Sequence, residues 1–378
     1  MLLSRNIKRA LIVTPVKVIG QYRAELDKYI PGNNHVVTNY EQLHKHLNED
    51  YECLILDESH RAKNYSSNTN TYCTHISNKC KYTYLFTGTP QDKHRHEILA
   101  QLSILDIRVM PVKTRILNRY FTLNDYFQPD TEIKQFSKEL TEVINCYTWG
   151  KKTEEVLSLP EEHNEIIYCP HPTMYYDRMF SKKVVKNGDL HCVADNKGSL
   201  RLYLREICSG CISWKNDKEQ PVGIEAFDST KLKSLFDLVT KIDKGIIYYE
   251  FTASTTGIKE VLKLAKKEYV VVNGETLPKQ ANILINKFKK GEVDYLIIQS
   301  GSGNAGLDLT NVNNIIFYSL PESYIVYHQC KARIKRIGQL KECYYWYLLC
   351  ENTIEELIFK SLKKKKSFTE KIFNTYIK

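Results

Sequence analysis

Short apolar runs rich in β-branched residues recur along the chain, and several are apolar at consecutive positions. A strand covered on one face alternates apolar with polar residues, whereas one covered on both faces, as in a parallel sheet, reads as a continuous apolar run. Strands are predicted on this basis at residues 11–13, 53–57, 82–86, 245–251, 269–272, 295–298, 314–318 and 343–349. Between them the spacing turns helical, over 18–29, 94–105, 254–267, 277–289, 324–333 and 353–364. Strand, helix, strand in repetition predicts the α/β class with parallel sheets. The rhythm breaks between about Arg119 and Asp228, where charge rises and no clear buried strand is visible. The expectation is two α/β lobes, residues 1–150 and 229–378, joined by a helical connector over 151–228.

Composition adds little against this pattern. The chain has 378 residues, 42% hydrophobic and 26% charged, ordinary values for a globular protein of two or three domains. A net charge of +10 is a weak pointer to a polyanionic partner, being spread over so long a chain. The lysine run 363–366 reads as a solvated helix end before it reads as a nucleic-acid patch. No apolar run approaches the roughly 18 residues that cross a bilayer, and Arg5, Lys8 and Arg9 interrupt the N-terminus as a signal peptide. An intracellular, cytoplasmic protein without a membrane partner is expected, the nucleus remaining open. The eleven scattered cysteines suit a reducing compartment. Cys208 and Cys211 form a C-x-x-C with His191 and Cys192 upstream, but a zinc site normally needs two such pairs, so structural thiols are expected.

Four segments carry candidate chemistry. The run 54–57 delivers Asp57 and Glu58 at a strand's C-terminal end, followed by Ser59 and His60. Open α/β sheets bind ligands at that edge. An acid there can hold Mg²⁺ and its neighbour can activate water, although such a pair is as often a simple helix cap. Thr87, Gly88, Thr89 and Pro90 follow a strand and taken alone are an ordinary turn. Residues 300–310 hold three glycines after another strand, suited to close approach of a phosphate or sugar, or to a purely structural loop. Last, Arg333 and Arg336 lie three apart and on a helix would share a face, as arginine fingers or as a basic surface.

In this order and separation the segments resemble the Swi/Snf-type DNA translocases of helicase superfamily two. Residues 11–15 look like motif Ia, 39–43 motif Ib, Asp57-Glu58-Ser59-His60 the D-E-x-H box, and 87–90 motif III. Residues 155–160 and 204–209 resemble connector phrases of that branch, and 229–235 with 245–251 the entry to the second lobe. Residues 303–310 look like motif V and 329–339 motif VI, which ends in Arg-Ile-Gly-Gln. The resemblance implies two RecA-like lobes that hydrolyse ATP with Mg²⁺ and move on double-stranded DNA. It implies that Asp57 positions the metal, Glu58 activates water, and Arg333 and Arg336 complete the site. It makes His60, Thr87, Gly88 and Thr89 coupling residues, and Gly306, Asp308 and Gln329 nucleotide contacts. Thr14, Lys17 and Thr310, with Gly306, become candidates for phosphate-backbone or interlobe contacts.

The departures are as informative. No Gly-Lys-Ser or Gly-Lys-Thr occurs anywhere, and only ten residues precede the first strand. The expectation is therefore a first lobe without its phosphate loop, which a second polypeptide would supply. The alternative is a degenerate ATPase kept as a DNA-binding or scaffold protein; a neighbouring RNA helicase branch fits the Arg-Ile-Gly-Gln ending poorly. Ala332, Lys335 and Asp308 stand where the family usually has Gly, His and Asn.

Overall fold

The computed structural model describes every residue except 1, 3, 4, 92–94, 110–112, 124–128, 151–157, 217–220, 227–229, 303–307 and 378. The chain divides into two compact units, Met1–Lys152 and Thr153–Lys378. No helix of the described residues is long and apolar enough to cross a membrane.

Unit one is built on four parallel strands, β1 (Ala10–Val13), β2 (Val36–Thr38), β3 (Cys53–Asp57) and β4 (Tyr82–Phe86), in the order β2-β1-β3-β4. Alternate residues of the two inner strands supply two cores. Leu11, Val13, Leu54 and Leu56 pack with Leu43, Cys73, Ile76 and Ile104. Ala10, Ile12, Cys53 and Ile55 pack with Ile7 and Val37 on the opposite side, against Ile19 and Tyr22. Burial on both faces is what makes these strands continuously apolar. The covering helices are Ile19–Tyr29, Asn68–Ser77 and His96–Leu105, the second capped by the Ser67 side chain accepting from the Asn70 amide. A smaller cluster joins the helices His96–Leu105 and Ser137–Tyr147 to an antiparallel pair, β5 (Phe121–Leu123) and β6 (Pro129–Glu132).

In unit two the segment after the break holds β7 (Glu162–Cys169), β8 (Val184–Asn187), β9 (Leu190–Val193), β10 (Cys211–Lys215) and β11 (Pro221–Ala226). The last four form an antiparallel sheet, β11-β10-β9-β8. Next come β12 (Gly245–Tyr249), β13 (Tyr269–Val272), β14 (Tyr295–Gln299), β15 (Asn314–Phe317) and β16 (Cys343–Cys350). With β7 they make a six-stranded sheet, β13-β14-β12-β15-β16-β7, in which every pairing is parallel. The α/β, parallel-sheet class read from the sequence is the one the chain has.

The connector expected over 151–228 is different in kind. Its described part is as much strand as helix, and it belongs to unit two. Strand β7 pairs with β16 along its whole length, from Cys343↔Glu162 to Cys350↔Cys169. The helix Lys197–Cys208 buries Leu200, Leu204 and Ile207 in unit two's core. Arg205 from that helix reaches Glu250 at 3.2 Å and Glu322 at 3.5 Å, and Arg201 reaches Glu322 at 3.2 Å. These side chains pin the segment to the C-terminal edge of the sheet, just past β12.

Candidate functional site

Parallel pairing of Val13 with Leu56 carries the chain out of β1 and β3 side by side, so Thr14 emerges next to Asp57. The Thr14 hydroxyl donates to Asp57 Oδ2 at 3.2 Å, and the Tyr40 hydroxyl donates to the Asp57 carbonyl at 2.7 Å. Burial, then the adjacent Glu58 charge, push the Asp57 carboxyl up; hydrogen bonds from Tyr22 and Thr14 oppose them and do not win. Glu58 itself sits in the left-handed region, φ 55°, a conformation costing a side-chain-bearing residue about 1–2 kcal/mol. This kink turns the chain from the strand into the short turn Ser59–Ala62.

Two bridges link that turn to the end of β4. His60 Nδ1 lies 3.1 Å from Thr87 Oγ1 and 3.2 Å from Glu58 Oε2. The Thr89 amide donates to the same Thr87 oxygen at 3.1 Å. The Ser59 hydroxyl donates to Gln101 Oε1 at 2.9 Å, and Gln101 Nε2 donates to the Pro90 carbonyl at 2.6 Å. Thr14, Asp57, Glu58, His60, Thr87 and Thr89 are thus brought together in unit one. Gly88 lies in the same turn, where a Cβ would meet nothing within 4 Å, so the fold itself does not demand glycine there. Lys17 belongs to the turn Val16–Val18 after β1. Sequence reasoning missed Tyr22, Tyr40 and Gln101. The last left a signal: a polar residue four after Glu97, on a helix otherwise apolar and buried.

In unit two the helix expected to run through Arg333 stops at Lys331, with Ala332 as its C-cap. Arg333 and Arg336 lie beyond it in successive turns, so the shared-face argument for the two does not hold. Tertiary hydrogen bonds place them instead. The Leu309 amide donates to the Arg333 carbonyl at 3.1 Å. Gln339 is buried and its amide nitrogen donates to the carbonyls of Val312 at 2.9 Å and Ile334 at 3.2 Å. Gly338 between them has φ 98°, which is why the Arg-Ile-Gly-Gln ending needs glycine at this position. Arg333 is 7% exposed and Arg336 half-buried. Asp308 accepts from the Thr310 amide at 3.2 Å and hydroxyl at 3.0 Å, so these two residues close one turn on each other. Gln329 sits half-buried on the last turn of the helix, and Gly306 lies outside the described residues.

The same region holds a clasp that the sequence did not suggest. Lys331 and Lys335 donate to the two oxygens of Glu162, at 3.0 and 3.1 Å, and Lys331 donates to Asn164 Oδ1 at 2.9 Å. Burial raises the Glu162 carboxyl, but the charges and hydrogen bonds of the two lysines outweigh it and hold it at about 2. Of the cysteine pair, Cys211 bonds to the Glu206 carbonyl, while Cys208 lies with Cys350 and Glu355 around the buried Lys231 ammonium. Burial pushes both thiols up, Cys211 to about 12, so they are held as thiols.

Parallel α/β units, one ending a central strand in a buffered carboxylate pair, define a ligand-binding class of fold. Comparison with known proteins narrows it. The SNF2-related domain matches residues 33–212 and the helicase conserved C-terminal domain residues 230–338. The two in this order make the chain a member of the Swi/Snf-type helicases. The first match runs past the division at residue 152 into the segment that folds with unit two. The chain is similar to the DNA repair and recombination protein RAD54B of Gallus gallus, 23% identical over 93% of this chain and 46% of that protein. It is also similar to the SWI/SNF-related matrix-associated actin-dependent regulator of chromatin subfamily A-like protein 1 of Drosophila melanogaster, 23% identical over 89% of this chain and 44% of that one. The chain therefore spans just under half the length of these curated relatives. Among solved structures, the C-terminal part of the Fun30 ATPase domain aligns at TM-score 0.46 and 18% identity, covering 58% of this chain and 96% of that one.

Proposed function

We propose that this chain is part of an ATP-dependent translocase on double-stranded DNA, and that Asp57, Glu58, Arg333 and Arg336 are the groups that act on the triphosphate. The observation that carries the reading is the pair of hydroxyl groups, Thr14 and Tyr22, that hydrogen-bond to the Asp57 carboxyl at a half-buried strand end and favour its charged form against the opposing effect of burial. Families of fold-stabilising contacts do not need that charge; a site for a cation does.

Asp57 and Thr14 offer hard oxygen donors, the chemistry Mg²⁺ takes, and Asp57 would hold the ion; bound there, it offsets charge on phosphate oxygens. Glu58 orients water through its carboxylate and accepts the proton that water loses. His60, held between Glu58 and Thr87, ties that carboxylate to the β4 turn, so a change at the phosphate is felt at Thr87, Gly88 and Thr89. The guanidinium groups of Arg333 and Arg336 neutralise charge that develops during transfer. Gly306, Asp308 and Gln329 add nucleotide contacts in this reading. Thr14, Lys17 and Thr310 follow the sugar-phosphate track, contacts that carry little base preference.

The 378 residues contain no Gly-Lys-Ser or Gly-Lys-Thr, so the phosphate-gripping loop comes from outside them, on a second polypeptide or on further chain. The same observation favours the second reading, a DNA-binding scaffold derived from such an ATPase. Duplex DNA retarded by the chain, with binding that weakens steeply as salt rises, is expected under both readings. The purified chain alone is expected to release no phosphate above background in the presence of duplex DNA; robust release, abolished by Glu58→Gln, overturns the external loop. In the native host, Glu58→Gln and Arg336→Ala each remove the chain's activity, and together remove no more than either alone, as groups acting on one transition state do. Wild-type behaviour of both variants selects the scaffold.

A further inference from the structure

A cleft of about 660 Å³ opens within unit two, where the start of β7 meets the Tyr324–Lys331 helix and the end of the Ile354–Lys363 helix. The turn carrying Arg333 and Arg336 lends the cleft Ala332 and Lys335 but neither arginine. Among the described residues four lysines line it, Lys331, Lys335, Lys363 and Lys365, against a single carboxylate, Glu162. Aromatic rings of Tyr324, Tyr327 and Tyr345 give it an apolar floor, and the Lys331 ammonium lies 4.1 Å from the centroid of the Tyr345 ring. A volume of this size is that of a small-molecule site rather than a furrow for a macromolecule.

The Glu162 clasp is already an anion-binding arrangement, with one carboxylate shared between two ammonium groups. Its occupant happens to belong to the chain. Glu162 neutralises one positive charge of four, and Lys363 and Lys365 remain exposed on the rim. A monoanion would leave most of that charge unmatched. Lysine binds phosphate as a point charge, without the paired geometry by which arginine selects a carboxylate.

We infer that this cleft binds a small, multiply charged anion of the phosphate class, whose phosphate groups compete with the Glu162 carboxylate for Lys331 and Lys335 and are met at the rim by Lys363 and Lys365. The site is separate from the arginines proposed to serve the triphosphate, and it stands whether or not the chain hydrolyses anything.

Titration calorimetry of the full chain with inorganic tripolyphosphate, without divalent metal, tests it. One binding event is expected. The double variant Lys363→Ala/Lys365→Ala, both residues exposed, weakens it about tenfold. Glu162→Gln tightens it several-fold by releasing two ammonium groups into the cleft. Asp243→Asn, which releases Lys267 on the same unit, and Arg336→Ala both leave it unchanged. Wild-type affinity in the double lysine variant overturns the site even should Glu162→Gln fail to fold. Equal tightening by Asp243→Asn reduces it to general charge, and loss in Arg336→Ala transfers the binding to the arginine turn. Citrate binding as tightly as tripolyphosphate overturns the phosphate assignment, and displacement by duplex DNA at matched ionic strength overturns the small-ligand assignment.

Discussion

Burial and the neighbouring Glu58 charge both push the Asp57 carboxyl up, and this has a measurable cost. A carboxyl whose folded pKa is raised penalises the folded state whenever it is ionised. The penalty is present at neutral pH and disappears once the pH falls below the unfolded value of about 3.9. Asp57→Asn keeps an acceptor for Thr14 and Tyr22 and removes the charge. Its melting temperature at pH 7 should exceed that of the parent, and the two should converge in melts below about pH 4. A parent at least as stable at pH 7 would mean that Asp57 is a structural residue. Lys231 is the opposite case. It is fully buried, donates to Glu355 Oε1 at 2.5 Å and to the Tyr318 carbonyl at 2.8 Å, and the Glu355 charge outweighs the burial that disfavours its ammonium. Breaking such a pair strands one charge in the core. Lys231→Met is expected to cost about 3–5 kcal/mol in chemical denaturation, and Lys231→Met/Glu355→Leu to recover much of that loss.

Two elements explain what the hydrophobic pattern did and did not reveal. The strands β3, β4 and β13 coincide with their predicted runs; β3 is apolar at successive positions because both its faces are covered, whereas β4 and β13 are edge strands marked by their aromatic and β-branched residues. Strand β7 reads Glu-His-Asn-Glu-Ile-Ile-Tyr-Cys and was not predicted. It lies at the sheet's edge, mostly half-buried, and edge strands carry charge to discourage further pairing. Its first residue is Glu162, whose carboxyl is held at about 2 by Lys331 and Lys335. The stability it lends is complete above the ordinary carboxylate value of about 4.3 and is lost as pH falls toward 2. Glu162→Gln should therefore be less stable than the parent at pH 7 and show a flatter decline in stability through that acid window, read by denaturant titration at each pH. The arginine turn makes the second case. Its helix ends at Lys331 because the chain thereafter serves Leu309, Thr310 and Val312, residues that no helical periodicity encodes. Gly338→Ala, forced to hold φ 98°, should destabilise the turn by about 1–2 kcal/mol and lower anion affinity at Arg336 before it lowers global stability.

At the scale of the molecule, the division after Lys152 makes a direct prediction about fragments. A chain of residues 158–378 keeps β7 beside β16 and the Lys197–Cys208 helix against the core, and should unfold cooperatively with native-like spectra. A chain of residues 229–378, cut where the sequence rhythm resumes, loses that edge strand and the buried faces of Leu200, Leu204 and Ile207. It also leaves Glu250 without Arg205, and should be insoluble or molten. Equal stability of the two fragments would contradict the assignment of the connector to unit two. By itself the sequence determined the α/β class, the inner strands and the carboxylate pair at the end of β3. Each of these is encoded by residues within a few positions of one another. Only the tertiary structure decided that β7 completes the second sheet, that Glu162 is clasped by lysines 169 and 173 positions away, and that Lys231 meets Glu355 across 124. Those contacts depend on which surfaces the packed elements bring together, and local spacing carries no record of that.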